Sequence, residues 1–384
     1  MSEPLWLGSS LPTPDEWSAM RAELDRARQD PEQLERRLED LVADIAGRPH
    51  AVAFASSGAA LEASIEVLGA SRGSEVVLPA LGPASLGNAV ARSGVRALYA
   101  DVDARTISLR GTAAAARISP STRLLITHLT HGQPTGLQEL ASLASRYEIP
   151  LLEFVGGGLG GRLGRDPVGR FGRVAVVSLG ARESTVGSGG AVCVTNDDSL
   201  ARALRLVRNL GRPEPEQDWE RLGGIRSIVR TGLDARIGAM SAALGIVRLS
   251  RFDETCAALE ERFHAYIRRL ALHPDLVLPE PCVDGTVRWS HFAVRLGERF
   301  TRDDRDQIML GLLRHDIAAA RLMHALPLEP GFATGHARGD FPVAERAADR
   351  LIALPYSANL RERDIELVCQ TLQVMIERAS IMRS

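Results

Sequence analysis

Short apolar runs alternate with amphipathic stretches along the first half of the chain. Residues 51–56, AVAFAS, read as a buried strand, followed by the turn SSG and the helix AALEASIEVLGA. The unit returns as strand SEVVLPA, helix PASLGNAVARSG and strand VRALYADVD. It returns again as strand RLLITHL, helix GLQELASLASRYE and strand IPLLEFV. Two further short strands, RVAVVSLG and GAVCVTND, close the block. Strands this apolar are covered on both faces, and the intervening helices imply a mostly parallel sheet. Ahead of the block, residues 14–46 carry a helical pattern. Thr13 with Glu16 forms a capping box, Pro14 suits the first helical position, Pro31 splits the run in two and Gly47 ends it.

The texture changes near residue 196. DDSLARALRLVRNLG is helical, with aspartates at its N-terminal end. Residues 211–231 are polar and read as a loop or arm, and residues 234–272 read as one long helical stretch bent near Gly245. Strands in TVRWSHFAVRL follow, then helices RDDRDQIMLGLLRHD, FPVAERAADRLIAL and RERDIELVCQTLQVMIERA. The expected fold class is α/β: a large domain over 1–245, with a mostly parallel sheet covered by helices, and a smaller C-terminal α/β domain over 246–384.

Composition narrows the function classes. Hydrophobic residues make up 45% and the formal net charge is −2, so no basic footprint points to nucleic acid or an acidic membrane. No apolar run reaches membrane-spanning length. The opening MSEPLWLGSSLPTPDEW lacks the pattern of a signal peptide. Cys193, Cys256, Cys282 and Cys369 are scattered without metal-ligand spacing, as expected of reduced cytoplasmic thiols, and no metal site is expected. All 46 basic residues are arginine, and the chain contains no lysine.

Six segments, in order, resemble the DegT/DnrJ/EryC1/StrS sugar aminotransferases, pyridoxal-phosphate (PLP) enzymes of fold type I. They are ASSGAALEA, the run from SEVVLPALGPASLG to VRALYADVD, HGQPTGLQELASLASRYEIPLLE, GSGGAVCVTND, GLDARIGAMSAALG and DFPVAERAADRLIALP. The resemblance covers nearly the whole chain and implies a fold type I aminotransferase-like architecture. PLP chemistry needs a lysine for the Schiff base, an aspartate on the pyridine nitrogen, a flat side chain on the ring and donors for the phosphate.

Transferred residue by residue, the resemblance puts Arg182 at the lysine and Phe154 at the aspartate, beside the retained Glu153. Ala59 stands at the phosphate-binding threonine of the Ser57–Gly58 turn, and Gly82 and Pro83 stand near the stacking aromatic. The serine before the lysine falls on Val177, or on Ser178 after a one-residue slip. The family's A-Q pair is Gly156–Gly157, and the asparagine of N-x-R is Asp234. Guanidinium stays protonated and is a poor nucleophile, so Arg182 forms no aldimine.

The expectation drawn is that PLP is lost, leaving no cofactor, and that the protein is a PLP-independent homologue. It would act on a small metabolite or nucleotide-linked sugar in a specialised biosynthetic pathway. The alternative is a non-catalytic subunit paired with an active homologue. His128 and His131, in THLTHGQP, are the acid–base candidates. Ser57, Gly58, Glu153, Phe154, Arg182, Glu183, Asp234, Arg236 and Arg321 are the ligand-binding candidates. Arg182 either clamps an anion or pairs with Glu153 or Asp234, the pairing being slightly favoured. The glycine run GGGLGG (156–161) is either an anion cradle or a loop without side chains. Arg236 lies in a segment that, in the family, reaches across a dimer interface, so a homodimer is expected, with a heterodimer as the variant.

Overall fold

In the computed structural model, residues 5, 7–8, 11–30, 32–214, 227–332 and 335–381 are described. Pro31 and most of the polar 211–231 stretch lie outside them. Helix α1 (Pro14–Arg26) starts at the Thr13–Glu16 capping box, in which each residue's side chain takes the other's backbone N–H. Helix α2 (Glu32–Ala46) follows and leads into β1 (His50–Phe54). Then come α3 (Ser57–Val67), β2 (Glu75–Pro79), α4 (Ala84–Arg92), β3 (Arg96–Ala100) and β4 (Thr122–His128). Next are α5 (Leu137–Arg146), β5 (Leu151–Gly156), β6 (Val174–Ser178), β7 (Ala191–Thr195) and α6 (Asp198–Arg208).

These seven strands form one sheet in the order β1-β7-β6-β5-β4-β2-β3. The pairs from β6 to β3 are parallel, whereas β7 runs antiparallel to both β6 and β1. Both faces are covered by apolar clusters, one around Phe54, Leu78 and Phe154, the other around Leu38, Val155 and Ile246. The carboxyl ends of β4, β5 and β6 therefore open together, the place where ligands of such sheets gather.

The helical stretch after residue 234 divides into α7 (Ala239–Leu249) and α8 (Phe252–Leu270). The break falls at Ser250–Arg251 rather than at Gly245. Gly245 instead lets α7 lie against α2, since a Cβ there would come within 2.8 Å of Leu38 Cδ1. In the C-terminal part, β8 (Leu276–Val277), β9 (Phe292–Leu296), α9 (Arg302–Leu313), β10 (Leu351–Leu354) and α11 (Glu362–Ile381) surround their own apolar core, while α10 (Pro342–Arg350) packs Ala344, Ala347 and Ala348 on the core around Phe54. Its sheet runs β8-β9-β10. Residues 351–354, read from sequence as the end of a helix, are strand β10, held by antiparallel pairing with β9 from Phe292↔Leu354 to Arg295↔Leu351.

Candidate functional site

Strand β6 ends at Ser178, and the chain then turns through Leu179–Gly190 before re-entering the sheet as β7. That turn carries Arg182 and Glu183, and Ser178 at its head stands beside the N-terminus of α3. Ser56 caps α3 through its hydroxyl, which accepts from Ala59 N at 3.2 Å. Ser57 is left to bridge to the turn, its hydroxyl 3.0 Å from that of Ser178. Ser178, rather than the core residue Val177, is thus the serine that faces the helix N-terminus. Gly58 leaves this helix end open, the nearest atom to a Cβ there being Ser56 Oγ at 3.9 Å.

Glu183 turns inward. Burial pushes its carboxyl up to about 7, against a hydrogen bond from Ser178 that favours the ionised form. Its Oε2 is enclosed and has no hydrogen-bond partner. The carboxyl sits in a notch that exists because residue 157 is glycine: a Cβ there would lie 2.1 Å from Glu183 Oε2 and 2.8 Å from Ser290 Cβ. Arg182 points outward and is exposed. The pairings considered for it are not made. Glu153, fully buried, directs its carboxylate at the backbone N–H groups of Gly169 (2.6 Å), Phe171 (3.1 Å) and Gly172 (3.3 Å). Asp234 is an exposed residue bridging by backbone to Asn209.

The two histidines of THLTHGQP are buried. His128 stacks at a tilt on Phe154, ring centroids 5.2 Å apart, and its Nδ1 has no partner. Burial first, and His291 second, hold its imidazole down at about 3. His131, in a left-handed conformation at φ 55°, has neither ring nitrogen partnered. Burial and the neighbouring imidazoles keep it well below the ordinary histidine range. Its ring meets His291 edge-on at 6.0 Å. His291, which no sequence motif marks, bonds Ser290 Oγ at 2.9 Å and the backbone of Arg182, and burial lowers it to about 4. All three imidazoles are neutral at pH 7, so His128 and His131 are weak bases rather than poised ones.

The remaining candidates are held in internal contacts. Phe154 is 3% exposed, with its ring in the core under the site. Arg236 pairs with Glu32 at 3.1 Å and Glu35 at 3.2 Å, both on α2 of its own chain. Arg321 bonds His324 and Glu329, and His324 Nδ1 lies 2.9 Å from the same Glu329 oxygen. The glycine run serves close packing. Gly158 N and Gly161 N bond Val155 O and Gly158 O, and Gly158 lies against Gly132, where a Cβ would be 2.9 Å from the Gly132 Cα. Among the described residues, no group of three or more His, Cys, Asp or Glu side chains has the geometry of a metal site.

The model of the DegT/DnrJ/EryC1/StrS aminotransferase family matches residues 17–373. The GDP-perosamine synthase of Caulobacter vibrioides is 29% identical over 342 residues, covering 88% of this chain and 89% of that one. Among solved structures, DesI in the presence of its TDP-sugar product has a TM-score of 0.86 at 25% identity, covering 100% of this chain and 97% of that one. Spr1654 from Streptococcus pneumoniae, in its PLP form, shares the fold at a TM-score of 0.86 and 17% identity, over 98% and 99% of the two chains.

These matches overturn the expectation of a PLP-independent protein repurposed away from amino transfer. Likeness to the aminotransferase family over residues 17–373, and to GDP-perosamine synthase over 88% of the chain, argues for the family's own reaction class and against cofactor loss. The reading as a pseudo-aminotransferase falls with it. The sequence itself still carries no lysine. The residues at the turn do not fit PLP held as a lysine Schiff base: Arg182 is exposed, Phe154 fills the aspartate position and Leu326 Cδ1 lies 3.1 Å from where a Cβ on Gly82 would be.

Proposed function

The chain belongs to the DegT/DnrJ/EryC1/StrS aminotransferase family, and from that premise we propose that it binds a nucleotide-linked sugar and works in sugar amination. The observation that carries this reading is the likeness to GDP-perosamine synthase along 88% of the chain. The geometry supports a place for the ligand at the carboxyl ends of β4–β6, beside Ser57, Gly58 and the 179–190 turn. The exposed Arg182 guanidinium suits the pyrophosphate, which it can meet with two parallel hydrogen bonds.

The working unit in this proposal is a two-fold homodimer in the cytoplasm. Trp17 on α1 and Met240 on α7, 50% and 48% exposed, belong to helices that pack on each other and supply apolar surface for it. Pairing with an active homologue is the variant form.

The test is amine transfer from L-glutamate to a nucleotide-linked keto sugar, with PLP added, read as the amino-sugar nucleotide by mass spectrometry. Product from the homodimer gives the whole reaction to this chain. Product only after mixing with an active homologue gives it the subunit's part. No product and no nucleotide-sugar binding in either arrangement would refute the proposal.

A further inference from the structure

Glu183 combines four features that structural residues of this chain do not share. It lies on the turn at the mouth of the site, next to Arg182. Its carboxyl occupies space that only a glycine at 157 leaves open. It stands at the end of a directed chain: Ser178 Oγ accepts from the Ser57 hydroxyl and from Gly180 N at 3.2 Å, leaving its own hydrogen for Glu183. One carboxyl oxygen is enclosed yet unpartnered. A buried acceptor without a donor is left desolvated and uncompensated, a deficit that a ligand hydroxyl would remove. Glu153 is the contrast, since both its oxygens are satisfied by backbone.

We propose that Glu183 is the residue that recognises the sugar: its carboxylate accepts a hydroxyl hydrogen bond from the sugar ring of the nucleotide-linked ligand, and Gly157 provides the notch that aims it. The inference rests on the function proposed above and deepens it. Glu183 is half-buried as a residue, between the exposed Arg182 and the buried Ser184, with its carboxyl against Gly157. A neutral sugar hydroxyl is the matching chemistry, because the phosphate of the ligand would be repelled there and attracted to Arg182.

Binding then carries a proton linkage. With its ionisation near 7, Glu183 is mostly protonated at pH 6 and mostly a carboxylate at pH 8. The imidazoles on the elements around the site, His128 at the end of β4, His131 beyond it and His291 just before β9, stay neutral over that range. Affinity for a nucleotide sugar should therefore rise about tenfold from pH 6 to pH 8.

The experiment is calorimetric titration of the intact protein with GDP-mannose and dTDP-glucose, each against its sugar-free diphosphate, GDP or dTDP. Wild type should bind a nucleotide sugar more tightly as pH rises. E183Q should bind it about tenfold more weakly at pH 8, without pH dependence, while its affinity for the bare diphosphate stays unchanged. G157A, which crowds the carboxyl out of its notch, should show the same selective loss. E183Q with wild-type affinity and pH dependence would overturn the proposal and leave the proposed function standing. Failure of all four nucleotides to bind wild type would overturn both.

Discussion

Gly132 admits no side chain. Its φ is +93° and a Cβ would lie 2.0 Å from the carbonyl oxygen of Arg288, a backbone atom that cannot swing away. G132A should lose about 3 kcal/mol, read as a lowered urea midpoint. The buried imidazoles and Glu183 make opposite contributions across pH. His128 and His291 titrate at about 3 and about 4 when folded, so their contribution is present above the ordinary value of 6.5 and is lost as pH falls towards those values. Glu183 is raised from 4.5 to about 7, so its contribution is full below 4.5 and is lost as pH rises through 7. Urea titrations from pH 6 to pH 8 should show wild type losing stability relative to E183Q, and curves that stay parallel would place the Glu183 carboxyl in solvent. The family resemblance singled out Arg182 and Glu183, and the apolar runs on either side marked them as lying on a turn between two strands. It did not reveal the notch, since contact between Glu183 and Gly157 depends on how two strand ends are juxtaposed. His291 was missed for the same reason: WSHFAV is an ordinary strand entry until the turn lands beside it.

At the scale of elements, α2 and α6 are joined by a buried charge cluster. Arg208, 2% exposed, lies 2.7 Å from Glu35 and 2.8 Å from Glu39, and it also bonds Ala53 O at 3.1 Å. Removing the cation would leave two carboxylates buried together. R208M should cost about 3–5 kcal/mol by chemical denaturation, and a loss under 1 kcal/mol would contradict the pairing. At the first helix, T13A should cost about 1 kcal/mol by removing the side-chain half of the capping box. The capping box was legible because both its partners are local. Helix–strand alternation was legible because apolar runs bounded by turn residues leave few alternatives. The strand at 351–354 was not, because apolar residues at 343, 344, 347, 348, 351 and 352 continue a helical period. Pairing with β9 decides it, and that is a tertiary contact.

Across the whole molecule, the N-terminal segment ties the two cores together, a link no sequence pattern announced. Leu5 N bonds Asp316 O at 2.8 Å, Tyr356 N bonds Leu7 O at 3.3 Å, and Gly8 passes Arg182, whose carbonyl oxygen would be 3.2 Å from a Cβ there. Leu5 thus packs on the smaller core and Leu7 on the larger one, with Gly8 beside the site's Arg182. Light scattering behind size exclusion should give twice the 41.5 kDa chain mass for the proposed dimer, and a monomer at working concentration would remove that part of the account. The central claim is that this fold, without a lysine, still holds a nucleotide-linked sugar in the service of amination. Native mass spectrometry of the purified protein, with PLP and with GDP-mannose or dTDP-glucose added in turn, tests it most directly. A dimer that gains one nucleotide sugar per chain is the expected result; a dimer that takes up neither nucleotide sugar would refute it.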